Sequence, residues 1–176
     1  LVYVTYEEGR DFQTYRTADT VACELKTRDE DIADGLATNK SGKGLFLPLA
    51  DCCGLVLYDA KTHALMLSHL GRHSVEVHGA RKSVEFMQTT YGSDPRDIVS
   101  WLSPAVGPES YPVTSRGYRG IKELIRDDLV FSGMNPQNIE VSPVDTAAST
   151  EYFSHSEFKK GNRSFDGRFA VYVYLR

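Results

Sequence analysis

Residues 45–73, LFLPLADCCGLVLYDAKTHALMLSHLGRH, decide the fold of this chain of 176 residues. Three apolar runs in this stretch have the length and composition of short buried strands, at residues 45–49, 55–58 and 64–67. The turn-forming run Asp59-Ala60-Lys61-Thr62 separates the last two, which predicts a β-hairpin. Cys52 stands between the first two strands and His69 follows the third. In such a hairpin both residues lie at the end distant from the turn, close to each other.

A cysteine and a histidine at one strand end suit two kinds of chemistry. Zinc prefers these ligands, and a nucleophilic enzyme uses the same two groups as thiolate and base. Cysteine is also among the residues that proteins bury as small hydrophobic side chains. Cys52 and His69 are therefore either a functional site or ordinary parts of the core. Cys53 should face the opposite side of an extended chain from Cys52, which predicts core packing for it.

The remaining patterns predict a single α+β domain over residues 1–176. Apolar residues recur at helical spacing over residues 74–91 and 119–132, and glycine followed by proline closes each run. Further strands are expected at residues 2–6, 20–25, 98–102, 139–141 and 169–175, with a short apolar segment at 32–37. Strands outnumber helices without strict βαβ alternation, which favours a layered fold with a mixed sheet.

Composition and charge exclude several classes of protein. The net charge of −4 argues against a nucleic-acid binder, and no apolar run is long enough to predict a membrane-spanning helix. Three cysteines, two of them adjacent, do not make a disulfide framework, so a cytoplasmic location is expected. Leu1 in place of an initiator methionine predicts that a native N-terminal segment, or a tag, is missing from the numbered chain. The oligomeric state is not predicted.

Five ordered segments resemble the YfiH-like laccase-domain proteins, a family also described as multicopper polyphenol oxidases and as purine nucleoside phosphorylases. Residues 33–38 (ADGLAT), 49–52 (LADC) and 68–71 (SHLG) are similar to the family's ADALVT, TADC and AHAG. Residues 102–108 (LSPAVGP), with Tyr111 and Val113, resemble LGPAIGP and the Tyr and Val that follow it. Residues 152–155 (YFSH) and Gly167-Arg168 resemble the family's FFSY and TGR. The resemblance runs from about residue 13 to residue 168.

The resemblance implies a mixed β-sandwich flanked by helices, with a zinc site of two histidines and one cysteine at its mouth. The cysteine carries over to Cys52 and the second histidine to His69. Tyr15 stands where the family's first histidine belongs, so it is a candidate third ligand. His73, four residues after His69, is another candidate if a helical turn follows the strand. Copper is a less suitable metal than zinc, because five scattered histidines do not make a copper set.

Other departures from the family's motifs fall in the same region. Arg72 and His73 occupy the places of the Trp and Arg that follow the family's HAG. Glu109 replaces the Cys of its GPC motif, and Ser156 replaces the Arg that follows FSY.

The chemistry that the resemblance implies is zinc-dependent phosphorolysis of purine nucleosides. Its substrates are adenosine, inosine, guanosine and methylthioadenosine with phosphate, and adenosine deamination is a second activity. Phosphate requires positive charge near the ribose, for which Arg72, Arg119 and Arg168 are the candidates. Arg119 is equally well explained as a solvated surface residue. Asp51 either orients His69, holds a ribose hydroxyl, or caps its own turn.

Two alternatives to the phosphorylase remain open. A metal-free Cys52 thiolate, with His69 as base, could attack an amide or ester carbonyl. The resemblance supports this alternative, because the family has been grouped by fold with cysteine hydrolases. It also implies a candidate substrate class, since some bacterial relatives are assigned a role in editing peptidoglycan precursors. The residues that depart from the family at the site favour a different class, a site-degenerate protein that binds a nucleoside or another small ligand without turning it over.

Overall fold

The computed structural model describes residues 2–3, 15–18 and 33–176 of the chain. Its strands are β1 (Val2–Tyr3), β2 (Tyr15–Thr17), β3 (Gly35–Thr38), β4 (Gly44–Leu49), β5 (Cys53–Asp59), β6 (Ala64–Leu70), β7 (Val99–Leu102), β8 (Ile139–Val141) and β9 (Phe169–Tyr174). Its α-helices are α1 (Arg72–Glu76), α2 (Gly79–Tyr91), α3 (Ile121–Phe131) and α4 (His155–Lys159). None of the described helices is long and apolar enough to cross a membrane.

The expected hairpin is confirmed as the antiparallel pair β5–β6, in which Asp59 is opposite Ala64. The Asp59 carboxylate closes the turn by accepting hydrogen bonds from the Lys61 backbone N–H and the Thr62 hydroxyl, both at 2.8 Å. His63 adopts a left-handed backbone conformation there, with φ of 53°. The turn therefore lies at one end of β5, and Cys52 lies at the other.

Two sheets and a helical layer build the fold, as the α+β prediction required. The larger sheet has the strand order β2-β3-β6-β5-β7-β8, and it is mixed because β2–β3 and β7–β8 are parallel pairs. The smaller sheet has the order β1-β4-β9. The mixed β-sandwich flanked by helices is therefore the architecture of the chain.

Alternation along β6 explains how the larger sheet buries both of its faces. Leu65 and Leu67 belong to a buried cluster shared with β4 of the smaller sheet. Met66 and Leu70 point the other way, into a cluster that includes Val84 of α2. A strand covered on both sides reads as a continuous apolar run, which is the pattern seen in the sequence.

The helix expected over residues 74–91 is two helices in the structure, α1 and α2. His78, between them, adopts a left-handed conformation with φ of 58°, which interrupts the helical path. Gly71 occupies the N-cap position of α1. Ser74, where the helix was expected to begin, lies inside α1, and its hydroxyl donates to the His69 carbonyl at 3.4 Å.

Several strand boundaries also differ from expectation. Strand β6 continues to Leu70, so His69 lies within the strand rather than after it. Strand β2 was not expected, and the segment expected at 32–37 appears as β3, Gly35–Thr38. The strand expected at residues 20–25 lies outside the described residues.

Candidate active site

Cys52 and His69 lie on the same face of the larger sheet, at the end distant from the turn. Gly54 is paired with His69, and a Cβ atom on Gly54 would lie 3.1 Å from side-chain atoms of Leu49 and Val171 in the smaller sheet. Residues two apart in an extended chain share a face, so Cys52 also points between the sheets, where it packs beside the same cluster.

Gly71 is the point at which the two reactive side chains converge. A Cβ atom on Gly71 would lie 2.9 Å from Cys52 Sγ and 3.6 Å from His69 Cε1. The first of these separations is too short for a real contact, so the absence of a side chain at Gly71 makes room for the Cys52 sulfur.

Burial keeps the His69 imidazole neutral at neutral pH. The side chain is almost fully buried, and desolvation lowers its pKa from 6.5 to about 3. Neutral imidazole is the form of histidine that binds metal ions. The same burial opposes the imidazolium that a Cys–His nucleophilic pair generates.

Cys53 is a core residue, as its position in the chain predicts. It is fully buried in the cluster on the helix side of the sheet, opposite Cys52. Burial raises the pKa of its thiol to about 12, so the thiol stays protonated. Cys53 is therefore chemically inert and serves packing.

Asp51 joins three segments of the chain around Cys52. Its Oδ1 accepts a hydrogen bond from the Thr146 hydroxyl at 2.8 Å, and its Oδ2 accepts one from the Ser156 backbone N–H at 2.6 Å. Its carbonyl accepts from the Val106 backbone N–H at 2.9 Å. Asp51 is buried and left-handed, with φ of 79°. These bonds hold the Asp51 carboxylate against Thr146 and against α4, and none of them involves His69.

A circuit of contacts connects the segments that adjoin Cys52 and His69. Arg72 follows Gly71, and its guanidinium carbon is 5.8 Å from the centre of the Tyr111 ring. The Lys160 ammonium, at the end of α4, donates to the carbonyl of Ser110, the residue before Tyr111. The circuit closes where Ser156 of α4 binds Asp51. We call this circuit the rim, and its members are Asp51, Gly71, Arg72, Tyr111, Ser156 and Lys160.

Arg168 lies at the same end of the sandwich, in an ion pair. Phe169 is opposite Leu49 in the β4–β9 pairing, so the residues just before Phe169 continue alongside those just after Leu49. The Arg168 guanidinium donates to the Asp166 carboxylate at 2.7 Å. His155 Nδ1 lies 3.1 Å from both oxygens of that carboxylate.

Arg119 is paired on the surface of α3. Its guanidinium lies 2.7 Å from the Glu123 carboxylate and 2.6 Å from that of Asp127. Both carboxylates are more than half exposed, which is the environment of a solvated arginine. The contacts of the rim do not include it.

Tyr15 lies on the other face of the sheet from Cys52 and His69. Tyr15 pairs with Gly35 across β2 and β3, and Gly35 pairs with Ser68 across β3 and β6. Ser68 faces α2, the side opposite to that of its neighbour His69, so Tyr15 lies on the α2 side as well. The Tyr15 hydroxyl donates to the Gly79 carbonyl at 2.7 Å and accepts from the Ser83 hydroxyl at 3.2 Å. Burial raises the pKa of the phenol well above its ordinary value, so it stays protonated. The structure therefore does not bring Tyr15 to the other two candidate ligands.

His73 is likewise not brought to the cysteine and histidine. Its side chain is 61% exposed in the first turn of α1, and its Nδ1 lies 3.6 Å from a Glu76 carboxylate oxygen. The helical turn after β6 does form, but it directs His73 toward Glu76 at the surface.

The donor pair suits zinc in its chemistry, because a cysteine sulfur and a neutral imidazole are typical zinc ligands. Within residues 15–18 and 33–176, no group of three His, Cys, Asp or Glu side chains is arranged to hold a metal ion. Of the candidate ligands in the described part of the chain, the structure thus brings together two, Cys52 and His69.

Sequence reasoning missed the contacts that connect the rim. Tyr111 was noted only as a motif position and Ser156 only as a departure from the family, and neither Lys160 nor Thr146 was considered. The His155–Asp166 pair had one local signal, an acidic residue directly before Gly167-Arg168, although its members lie eleven positions apart in the chain.

Comparisons with known proteins agree with this architecture. The family model for multi-copper polyphenol oxidoreductase laccase matches residues 11–123. Mouse purine nucleoside phosphorylase LACC1 is 29% identical over 147 residues, which cover 69% of this chain and 34% of the mouse protein. A purine nucleoside phosphorylase of Mycobacterium tuberculosis is 26% identical over 163 residues, which cover 82% of this chain and 63% of that protein. The chain thus spans less than two thirds of the length of either relative.

Two solved structures share the fold. The hypothetical protein YfiH of Bacillus licheniformis superposes with a TM-score of 0.80 at 22% identity, covering 99% of this chain and 74% of that one. YlmD of Geobacillus stearothermophilus gives a TM-score of 0.79 at 22% identity, covering 99% and 73%. Since the family model also matches more than half of its residues, the chain belongs to the YfiH-like laccase-domain family of multi-copper polyphenol oxidoreductases.

Proposed function

We propose that this chain carries the active site of a zinc-dependent purine nucleoside phosphorylase. The observation that carries the proposal is the convergence of Cys52 and His69 on Gly71, beside the rim residue Arg72. The names of the mouse and mycobacterial relatives support the reaction class. The proposed substrates are adenosine, inosine, guanosine and methylthioadenosine with phosphate, and adenosine deamination is a proposed second activity.

In this proposal Cys52 and His69 hold the metal, with the neutral imidazole as the second ligand. A zinc ion bound there would supply Lewis-acid polarisation of a substrate oxygen. Gly71 keeps the space beside the sulfur open, and Asp51 fixes the turn from which Cys52 projects. Location in the cytoplasm is part of the proposal, because Cys52 and Cys53 are both thiols.

Arg72 is the proposed phosphate-binding group. Its side chain is exposed, and the contact with the Tyr111 ring orients the guanidinium at the rim. A guanidinium donates paired hydrogen bonds to phosphate oxygens. Arg168 is the second candidate, although the Asp166 carboxylate already neutralises part of its charge.

The burial of His69 bears on the metal-free hydrolase. A thiolate nucleophile requires its histidine to accept and hold a proton. Desolvation opposes a charged His69, so metal binding fits this environment better. The second candidate function is a protein that binds a ligand without turning it over. Catalytic zinc usually has three protein ligands, whereas the described residues offer two candidates, and this difference supports the binder.

The adjacent cysteines provide a matched test of the proposal. Zinc content and phosphate-dependent base release from inosine and adenosine are measured for wild type, Cys52→Ala and Cys53→Ala. We expect Cys52→Ala to lose both zinc and base release, and Cys53→Ala to keep both, because Cys53 faces the helices. Equal losses in the two variants would contradict the proposed role of Cys52. Zinc binding without base release from the wild type would favour the binder.

A further inference from the structure

We infer that His155 donates a proton to the purine base as the base leaves the ribose, with Asp166 as its positioning residue. The inference rests on the proposed phosphorolysis and names a catalytic group for it. It starts from the pairing of His155 and Asp166, which includes no proposed metal ligand and touches the phosphate candidates only through the ion pair of Asp166 with Arg168.

The carboxylate of Asp166 fixes the orientation of the His155 ring. His155 Nδ1 lies 3.1 Å from both Asp166 oxygens, and Arg168 donates to the same carboxylate at 2.7 Å. The bonds from Arg168 and His155 lower the pKa of Asp166, so the carboxylate is ionised and Nδ1 must be the donor. This leaves Nε2 as the nitrogen available to a ligand, the arrangement that carboxylates impose on catalytic histidines.

His155 Nε2 is accessible. The side chain is 36% exposed, and within residues 15–18 and 33–176 the structure gives Nε2 no hydrogen-bond partner. An imidazole that is held at one nitrogen and open at the other can pass a proton to a substrate without first reorienting.

One hydrogen bond and one strand register place this pair near the turn that holds Cys52. The backbone N–H of Ser156, the residue after His155, donates to Asp51 Oδ2 at 2.6 Å. The β4–β9 register places Phe169 opposite Leu49, so Asp166 lies three residues beyond the end of that pairing, toward the turn that holds Cys52. The pair therefore adjoins the rim, next to Ser156.

The leaving base needs a proton because the purine otherwise departs as an anion. A phosphate oxygen forms a bond to C1′ of the ribose while the bond from C1′ to N9 breaks. The electron pair of that bond moves into the imidazole ring of the purine, and N7 takes the Nε2 proton of the His155 imidazolium, which keeps its Nδ1 proton. The neutral His155 then regains a proton from water, with Asp166 holding Nδ1 throughout.

A nucleoside that does not require this proton provides the test. In 7-methylinosine the ring already carries a positive charge, so its base leaves without protonation at N7. We expect His155→Gln to lose about 10²–10⁴-fold in kcat with inosine and to keep nearly wild-type kcat with 7-methylinosine. Asp166→Asn should show the same pattern with a smaller loss, and Asp166→Glu should restore part of it. Equal losses with both nucleosides, or no loss with inosine, would overturn the inference.

A histidine at the other end of the hairpin serves as the control. His63 lies in the turn beyond Asp59, and asparagine tolerates its left-handed backbone. His63→Asn should leave both rates unchanged.

A binding experiment separates failure of this inference from failure of the proposed function. If the wild-type protein releases base from neither nucleoside, the proposed phosphorolysis is wrong. The contact between His155 and the purine base is then tested separately, with hypoxanthine alone. Titration of hypoxanthine into ¹⁵N-labelled protein should shift the His155 Nε2 resonance, assigned by its loss in His155→Gln. A resonance that does not move would overturn the role of His155 in contacting the base.

Discussion

Gly71 shows how a single missing side chain can define a site. The chain needs no special backbone freedom there, since Gly71 adopts extended angles as the N-cap of α1. What matters is space, because a Cβ atom would lie 2.9 Å from Cys52 Sγ. Glycine at this position therefore leaves space for the Cys52 sulfur and is not required by the backbone conformation at the start of α1.

Gly71→Ala is expected to displace the Cys52 sulfur and to weaken zinc binding while the fold persists. The clash falls on a side chain at the edge of the sandwich, which can move without unfolding either sheet. Zinc affinity, measured by competition with a chelating dye, should fall, and the thermal midpoint of the metal-free protein should change little. Unaltered zinc affinity would mean that the sulfur is not a ligand.

Residues also show what the sequence could and could not predict about the site. Cys52 and His69 were paired correctly in space because the hairpin has a short local turn and strand periodicity fixes the facing side. Tyr15 was misplaced because its face depends on the parallel pairing of β2 with β3, which is non-local and has no sequence pattern. The left-handed conformation of His78, which splits the helix, also has no compositional signal.

Strand β5 runs between two aspartates with opposite tasks. Asp59 closes the hairpin turn, and Asp51 joins the other end to Thr146 and Ser156. Both carboxylates accept hydrogen bonds from neighbouring hydroxyl and backbone groups, but only Asp51 adjoins Cys52. Asp59 therefore contributes to the fold alone, whereas Asp51 contributes both to the fold and to the surroundings of Cys52.

Replacement of each aspartate by asparagine should separate the two tasks. Each change substitutes an amide for a carboxylate that accepts several hydrogen bonds, so each should lower the free energy of unfolding by about 1–3 kcal/mol in urea titrations. Asp51→Asn should in addition weaken zinc binding and base release, whereas Asp59→Asn should not. If Asp59→Asn impaired zinc binding as much as Asp51→Asn, the effect would be one of global stability.

At the scale of the whole molecule, the site lies where the two sheets of the sandwich meet at one end. The smaller sheet covers one face of the larger and the helices cover the other, so His69 is almost fully buried although it is near the end of its strand. The number and order of the strands predicted a layered fold with a mixed sheet, and the resemblance to the family implied the sandwich flanked by helices. It did not predict which loops complete the rim, because the contacts from Asp51 to Thr146 and Ser156 join residues about a hundred positions apart.

This burial makes the stability of the whole domain depend on pH. His69 has a pKa of about 3 when folded and an ordinary value of 6.5 when exposed, because burial opposes its charged form. Between these values the unfolded chain binds a proton that the folded protein does not, so acid favours unfolding. The free energy of unfolding of metal-free protein should fall as the pH drops below 6.5, with a slope that approaches about 1.4 kcal/mol per pH unit between about pH 5.5 and 4.5, above the range of most carboxylates. Urea titrations at three pH values measure the slope, and His69→Gln should remove it. Parallel slopes in wild type and variant would show that His69 is accessible to protons in the folded state.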